Sequence, residues 1–231
     1  MSTHTRAARR VRARTLTAVL CLVVVGLAPA RGDAQHQATE ALLGTRLDAT
    51  TRAALGPLLD SARASGLPTD PLIEKALEGA SKHATGERIV AAVRALQTDL
   101  GAARSALGAT SSEEEIVAGA SALRAGVDAA SLGQLRADRP GRSLTVPLAV
   151  LTDLIVRGVP VDTAAAVVAS LERGGAADGD FITLRGNVER DVRAGALPAV
   201  AASVRAHGVP ASVGAPPGRA LGLSHRKPKK P

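Results

Sequence analysis

Residues 65–77, SGLPTDPLIEKAL, decide how the chain is read. Gly66 lacks a Cβ and tolerates the left-handed backbone that closes a helix. Four residues later, Asp70-Pro71 has the chemistry of a helix start. A carboxylate there accepts hydrogen bonds from free first-turn amides, and proline, with φ already fixed and no N–H, suits the first helical position. The stretch is therefore a joint, a helix stop followed by a helix start. The same punctuation returns in AGVDAASLGQL (125–135), RGVPVDTAAAVVASL (157–171) and AGALPAVAASV (194–204).

Between the joints the apolar residues recur at helical spacing: Leu72, Ile73, Ala76, Leu77 and Ala80; Ile89, Val93, Leu96 and Leu100; Ile116, Ala120 and Leu123; Leu144, Leu148, Leu151 and Ile155. Rows at i, i+3, i+4 and i+7 mark one face of an amphipathic helix, and no long strand-like alternation accompanies them. The spacing predicts helices near 51–65, 71–82, 86–107, 113–125, 129–137, 145–157, 163–173, 180–194 and 198–207. Thr85, Asp128 and Asp162 are positioned to cap three of them, and Ser111 or Ser112 with Glu114 or Glu115 forms a capping box. Gly66, Gly126, Gly158, Gly174, Gly195 and Gly208 are the expected stops. In Gly66-Leu67, Gly126-Val127 and Gly158-Val159 the apolar residue after the glycine is expected to fold back on the last turn.

The expected fold is all-α, a compact bundle of seven to nine short helices arranged as helical hairpins. The glycines at 66, 126, 158 and 195 are too unevenly spaced for a regular repeat array. Helix 145–157 is apolar almost all round, with only Asp153 and Arg157 charged, and belongs at the centre. The core must be aliphatic, since the chain has no Trp or Tyr and a single Phe181, which heads a row with Leu184, Val188 and Val192.

The ends read differently. Arg6, Arg9, Arg10, Arg12 and Arg14 precede an uncharged, mostly apolar run from Leu16 to Ala28, and small residues follow. That is the pattern of a signal peptide. The run of 13 residues falls short of the roughly 20 that span a bilayer. Cleavage is expected between Ala30 and Ala34, with Ala34 favoured, which leaves 197 of 231 residues and an exported, periplasmic or secreted chain. Arg9-Arg10 lacks the apolar pair of a twin-arginine signal, and Cys21 lies inside the apolar run rather than at a lipid-attachment position. The mature chain then has no cysteine. The expected layout is a signal peptide at 1–34, a disordered segment at 35–47, one helical domain at 48–210 and a flexible basic, proline-containing tail at 211–231.

The net charge of +8 belongs to those ends. Residues 35–210 carry 18 basic and 20 acidic groups, so the body is close to neutral and its charge does not call for nucleic acid. Beyond the leader no apolar run suggests a membrane span.

The residue inventory excludes several chemistries. Beyond the leader the histidines His36, His83, His207 and His225 are far apart, with no paired metal-ligand spacing. Asp178-Gly179-Asp180 with Glu189 echoes a calcium loop, but Ile182 and Thr183 stand where a ligand oxygen and a glycine are required. Asp178 or Asp180 as a cap for a helix beginning at Phe181 is the better reading. Ser81-Lys82-His83 cannot form a relay, because adjacent helical side chains diverge. Glu113-Glu114-Glu115 complements a helix dipole. There is no nucleophile elbow or glycine-rich loop after a strand. With one aromatic ring, stacking on sugars or unpaired bases is disfavoured. The sequence assigns no catalytic, cofactor-binding or metal-ligating residue.

The tail His225-Arg226-Lys227-Pro228-Lys229-Lys230-Pro231 concentrates cations on a proline-interrupted segment. Arg226, Lys227, Lys229 and Lys230 are the candidate contacts to an anionic lipid or polymer, against the plainer reading of a solvated end. The functional expectation is an exported, non-catalytic helical interaction or structural protein of the cell envelope, with an unidentified protein or envelope component as partner. Two alternatives stand beside it: an envelope enzyme or small-molecule binder with a site built from scattered acids and arginines, and a weak anionic-surface binder acting through the tail.

Overall fold

A computed structural model describes residues 43–207. Among them the chain is all-helical and compact, with nine helices after a single helical turn at 43–46. These are α1 (Ala49–Ala64), α2 (Asp70–Ser81), α3 (Gly86–Leu107), α4 (Glu113–Arg124), α5 (Ala129–Asp138), α6 (Thr145–Val156), α7 (Val161–Arg173), α8 (Asp178–Arg193) and α9 (Pro198–His207).

Every extensive packing contact joins helices one or two places apart in this order. The 22-residue α3 is the spine of the first half and touches α1, α2, α4 and α5. Helix α6 is the spine of the second half and touches α4, α7 and α8, as its all-round apolarity requires. Helix α9 closes the described chain against α7 and α8. Gly119 of α4 lets it approach α3 closely, since a Cβ there would meet Leu107 Cδ1 at 2.8 Å and the Ala103 Cβ at 3.1 Å.

The joints share one geometry. At Gly66, Gly126, Gly158, Gly175 and Gly195 the backbone turns left-handed, and the amide one residue later reaches back to a carbonyl five positions upstream, as in Leu67 N to Ala62 O at 2.9 Å. Leu67, Val127 and Val159 are buried behind their glycines, as expected. A sixth joint puts His83 in the left-handed region at φ 54°, with Ala84 N donating to Gly79 O at 3.0 Å. Ser112 and Glu115 form the expected capping box, and Asp128 caps α5 by accepting from Ser131 N at 2.8 Å.

Several local expectations are corrected. The stop before α8 is Gly175 (φ 73°) and not Gly174, whose φ of −73° continues the helical turn. Asp162 does not cap α7, because the fixed φ of Pro160 places the N-cap there and starts the helix at Val161. Thr69 occupies the N-cap of α2, so Asp70 lies in the first turn, where its charge complements the dipole. Thr85 is the N-cap of α3 but makes no side-chain capping bond. Helix α8 starts at Asp178, earlier than Phe181, and Asp180 accepts from Ala177 N at 2.8 Å. At the other end the packed chain begins before residue 48: Leu43 and Leu47 are buried, and Arg52 Nη1 donates to Gly44 O and Leu47 O, both at 2.7 Å. The leader, residues 35–42, Gly208 and the basic tail lie outside the described residues.

Two apolar clusters form the interior. The first runs from Leu43 to Ala120 around α3, the second from Leu107 to Ala202 around α6, and Leu123 packs against both. Phe181 is fully buried in the second with Leu184 and Val188, as its row predicts.

Candidate functional site

The buried charged residues among those described, Glu115, Arg139 and Glu172, gather where α4 and α5 meet the second half. Helix α5 ends at Asp138 with Arg139 as its C-cap, followed by Pro140 and by Gly141 at φ 70°. This reversal sends the Arg139 side chain inward, and it is only 3% exposed. Its Nη1 donates to Ala176 O at 3.1 Å, its Nη2 to Asp178 Oδ1 at 2.5 Å, and its guanidinium carbon lies 5.5 Å from the centre of the Phe181 ring. The planar cation over an aromatic face is a favourable arrangement when both are withdrawn from water. Arg142 Nη2 also donates to Ala176 O, at 2.7 Å.

Glu172 of α7 completes the cluster. Its side chain is 0% exposed, and Oε2 lies 3.6 Å from Arg139 Nη1, too far for a hydrogen bond. Neither carboxylate oxygen has a hydrogen-bond partner among the described residues. Burial pushes the Glu172 carboxyl up to about 7, against the pull of Arg139 and Arg142. Arg173, the next residue, reaches Asp138 of α5 at 3.3 Å on the outside.

Glu115 forms the neighbouring site. Besides accepting from Ser112 N at 3.0 Å, it accepts from Leu144 N at 2.7 Å, and Arg136 Nη2 stands 2.6 Å from its Oε1. Burial alone would raise this carboxyl. The Leu144 amide, Arg136 and the Ser112 amide prevail and hold it below the ordinary carboxylate range. One carboxylate thus caps α4, satisfies the amide of Leu144 at the start of α6 and pairs with α5.

The arrangement is a clamp. Arg139 and Glu172 are buried, and Glu115 is used by three partners, so neither cluster presents opposed groups to a substrate-sized opening. The open grooves among the described residues are lined by other side chains, even where one of about 420 Å³, with Asp70, Glu113, Glu114 and Thr145 in its walls, adjoins Glu115. One of about 490 Å³ between α1 and α3 is lined by Asp48, Thr51, Glu87 and Arg94 among others, and its Asp48 carboxylate is engaged by Thr51 N and Oγ1 at 2.8 and 2.6 Å. Another of about 420 Å³ between α7 and α9 is lined by Asp162, Ser170, Ser203 and His207, whose Nδ1 is 2.7 Å from Ser203 O. Among the described residues no three His, Cys, Asp or Glu side chains are grouped to hold a metal ion. No described helix is long and apolar enough to cross a membrane.

The sequence-level candidates Arg226, Lys227, Lys229 and Lys230 lie outside the described residues. Arg139, Glu172 and the inward reach of Glu115 were missed. A signal existed for the two acids. Glu115 shares a row with Gly119 and Ala122, and Glu172 follows Ala164 and Val168 on the apolar face of α7, so each stands where a hydrophobic residue is expected. Nothing local marks Arg139. Of the two acids offered as the cap of α8, Asp180 takes that role and Asp178 faces Arg139. Comparison with family models, curated proteins and solved structures returns no match.

Proposed function

We propose that the chain is an exported, non-catalytic helical interaction protein of the cell envelope. The observation that carries this reading is the use made of the buried ionisable groups. Glu115, Arg139 and Glu172 tie one helix to another and line none of the four grooves found among the described residues. Catalysis by an acid of raised pKa requires that acid within reach of the bond that reacts, and here the one carboxyl raised by burial, Glu172, is enclosed. The basic, apolar, small-residue order of the first 34 residues supports export.

The test has two arms. Mass spectrometry of the protein isolated from its host is expected to find a chain beginning at Gln35, or at Arg31 as second choice, in the exported fraction; an intact Met1 would contradict export. The purified chain, screened against hydrolase and transferase substrate panels, is expected to turn over none of them. A turnover abolished by Asp162→Asn and His207→Ala together would place an active site in the α7–α9 groove and overturn the non-catalytic reading.

A further inference from the structure

Among the described residues, Glu172 is the one buried charged group that the clamp leaves unbonded. Its side chain is fully enclosed, neither carboxylate oxygen has a hydrogen-bond partner, and Arg139 Nη1 stops 3.6 Å from Oε2. A carboxylate withdrawn from water needs donors to stay charged, so this position suits the neutral acid. The nearest donor is engaged elsewhere, with Arg139 Nη1 on Ala176 O at 3.1 Å and Nη2 on Asp178 Oδ1 at 2.5 Å.

What Arg139 would leave behind is already provided for. Ala176 O also accepts from Arg142 Nη2 at 2.7 Å, so the carbonyl keeps a donor. The Asp178 side chain is 48% exposed, and water can replace the guanidinium there. The Phe181 ring, 5.5 Å from the guanidinium carbon, offers a face rather than a directional bond and lets the cation slide. A movement of about 0.7 Å brings Nη1 from 3.6 Å to ordinary hydrogen-bond length from Oε2.

The other charges around α7 supply no competing partner. Helix α7 packs against α5, α6 and α9. On α5, Arg136 stands against Glu115, while Asp138 disfavours the ionised form of Glu172 and is itself met by Arg173 at 3.3 Å. On α6, Asp153 and Arg157 pair with each other and with Arg185 and Glu189 of α8. On α9, Arg205 holds Asp191 of α8, and His207 Nδ1 lies 2.7 Å from Ser203 O. Asp162 sits in the first turn of α7, at the far end of that helix from Glu172, and at the start of α8 Asp180 accepts from Ala177 N.

We propose that Arg139 is a latch with two positions set by the charge on Glu172: with the carboxyl neutral it holds Asp178 and Ala176 O, and with the carboxyl ionised it turns onto Glu172 and releases the first turn of α8. The end of α5 stays tied to α7 in both positions, so the exchange loosens α8 alone. The Glu172 value of about 7 sets the exchange close to neutral pH, with the latch closed on α8 below it and open above. This conformational device goes beyond the interaction reading and does not depend on it.

The test is a titration of the isotope-labelled natural chain by NMR across about pH 5–9, a range that brackets the Glu172 value. The Glu172 carboxyl carbon, the Asp178 carboxyl carbon and the Arg139 Nε–H are expected to share one transition near 7. Nuclear Overhauser contacts from the guanidinium are expected to run to the Asp178 Cβ protons below it and to the Glu172 Cγ protons above it. In Glu172→Gln the Arg139 and Asp178 signals are expected to lose this transition. Four outcomes would overturn the inference: Glu172 titrating at the ordinary 4.5, guanidinium contacts that stay on Asp178 throughout, a transition that survives in Glu172→Gln, or loss of helical circular dichroism in the natural chain over the same range. The contacts are read in the natural chain, so the test stands even where the variant fails to fold. None of these outcomes touches the non-catalytic reading, which fails only on turnover.

Discussion

The core around α3 and the core around α6 hold their helices with different chemistry. From Leu43 to Ala120 the buried cluster is entirely aliphatic, and the buried polar groups near it are two threonines, Thr51 and Thr69. Around α6 the cluster contains Phe181, with Arg139 over its ring and Glu172 beside Arg139, and the remaining buried charge, Glu115, stands at the seam between the halves. Apolar burial is non-directional. An aliphatic core sets how close helices lie but permits small slides between them. Arg139, in contrast, reaches Ala176 O and Asp178 from one position only, and so fixes the end of α5 against the α7–α8 joint. The cost is a charge pair withdrawn from water, whose attraction must offset the desolvation of both ions.

The largest expected effect follows from breaking that pair. Arg139→Ala leaves Glu172 with only the weaker pull of Arg142, removes a donor from Ala176 O and uncovers Phe181. Unfolding by denaturant is expected to show a loss of about 3–5 kcal/mol, the usual penalty for orphaning one member of a buried pair. Arg104→Ala, which removes an exposed bond to Gly66 O at 2.6 Å in the first half, is expected to cost under about 1 kcal/mol. Equal losses would erase the contrast.

Glu172 also makes the contrast depend on pH. Its folded value of about 7 lies above the ordinary 4.5, so between these values the folded state holds a proton that the unfolded state has released. Stability therefore falls as pH rises through this window, by as much as about 3 kcal/mol from this group, and levels off above it. Glu115 acts with the opposite sign: its lowered value contributes stability above the ordinary value, lost as pH falls through the folded one. Melting of Glu172→Gln between pH 4.5 and 7 is expected to lack the decline seen in the natural chain. An unchanged profile would remove Glu172 from the account.

The joints provide smaller tests that apply to both halves alike. Gly158→Val forces a β-branched residue to φ 91° and is expected to destabilise by about 1–3 kcal/mol. Gly175→Ala is expected to cost more than Gly174→Ala, because only Gly175 has positive φ. The smallest effect should be a gain. His83→Gly relieves a left-handed non-glycine residue and is expected to stabilise by up to about 1 kcal/mol, since the relief exceeds the added freedom of the unfolded chain. A lower melting temperature would show that the His83 side chain holds the joint in another way.

The joints were legible because their chemistry is local. A carboxylate or hydroxyl at the start and an unsubstituted carbon at the end state a boundary within a few residues, and α3, expected at 86–107, is Gly86–Leu107. Local reading failed where two neighbours offered the same chemistry, as with Gly174 and Gly175, or where proline competed with an acid, as at Pro160 and Asp162. The clamp was mostly illegible. Arg139 pairs with Asp178 across 39 residues, and nothing within a turn of either marks the partner. The buried acids leave a fainter trace as charged residues on apolar helix faces, and at Glu115 a capping box and the helix dipole already account for the charge.

Because every extensive contact joins helices near in order, the two halves can open separately, and local opening reports which contacts hold each. Native-state hydrogen exchange of the natural chain and of Arg139→Ala tests the central claim most directly. The account predicts that the slow amides of α5, α7 and α8 lose protection in the variant, while those of α1, α2 and α3 keep theirs. Equal loss across all nine helices, or loss confined to the first three, would contradict it.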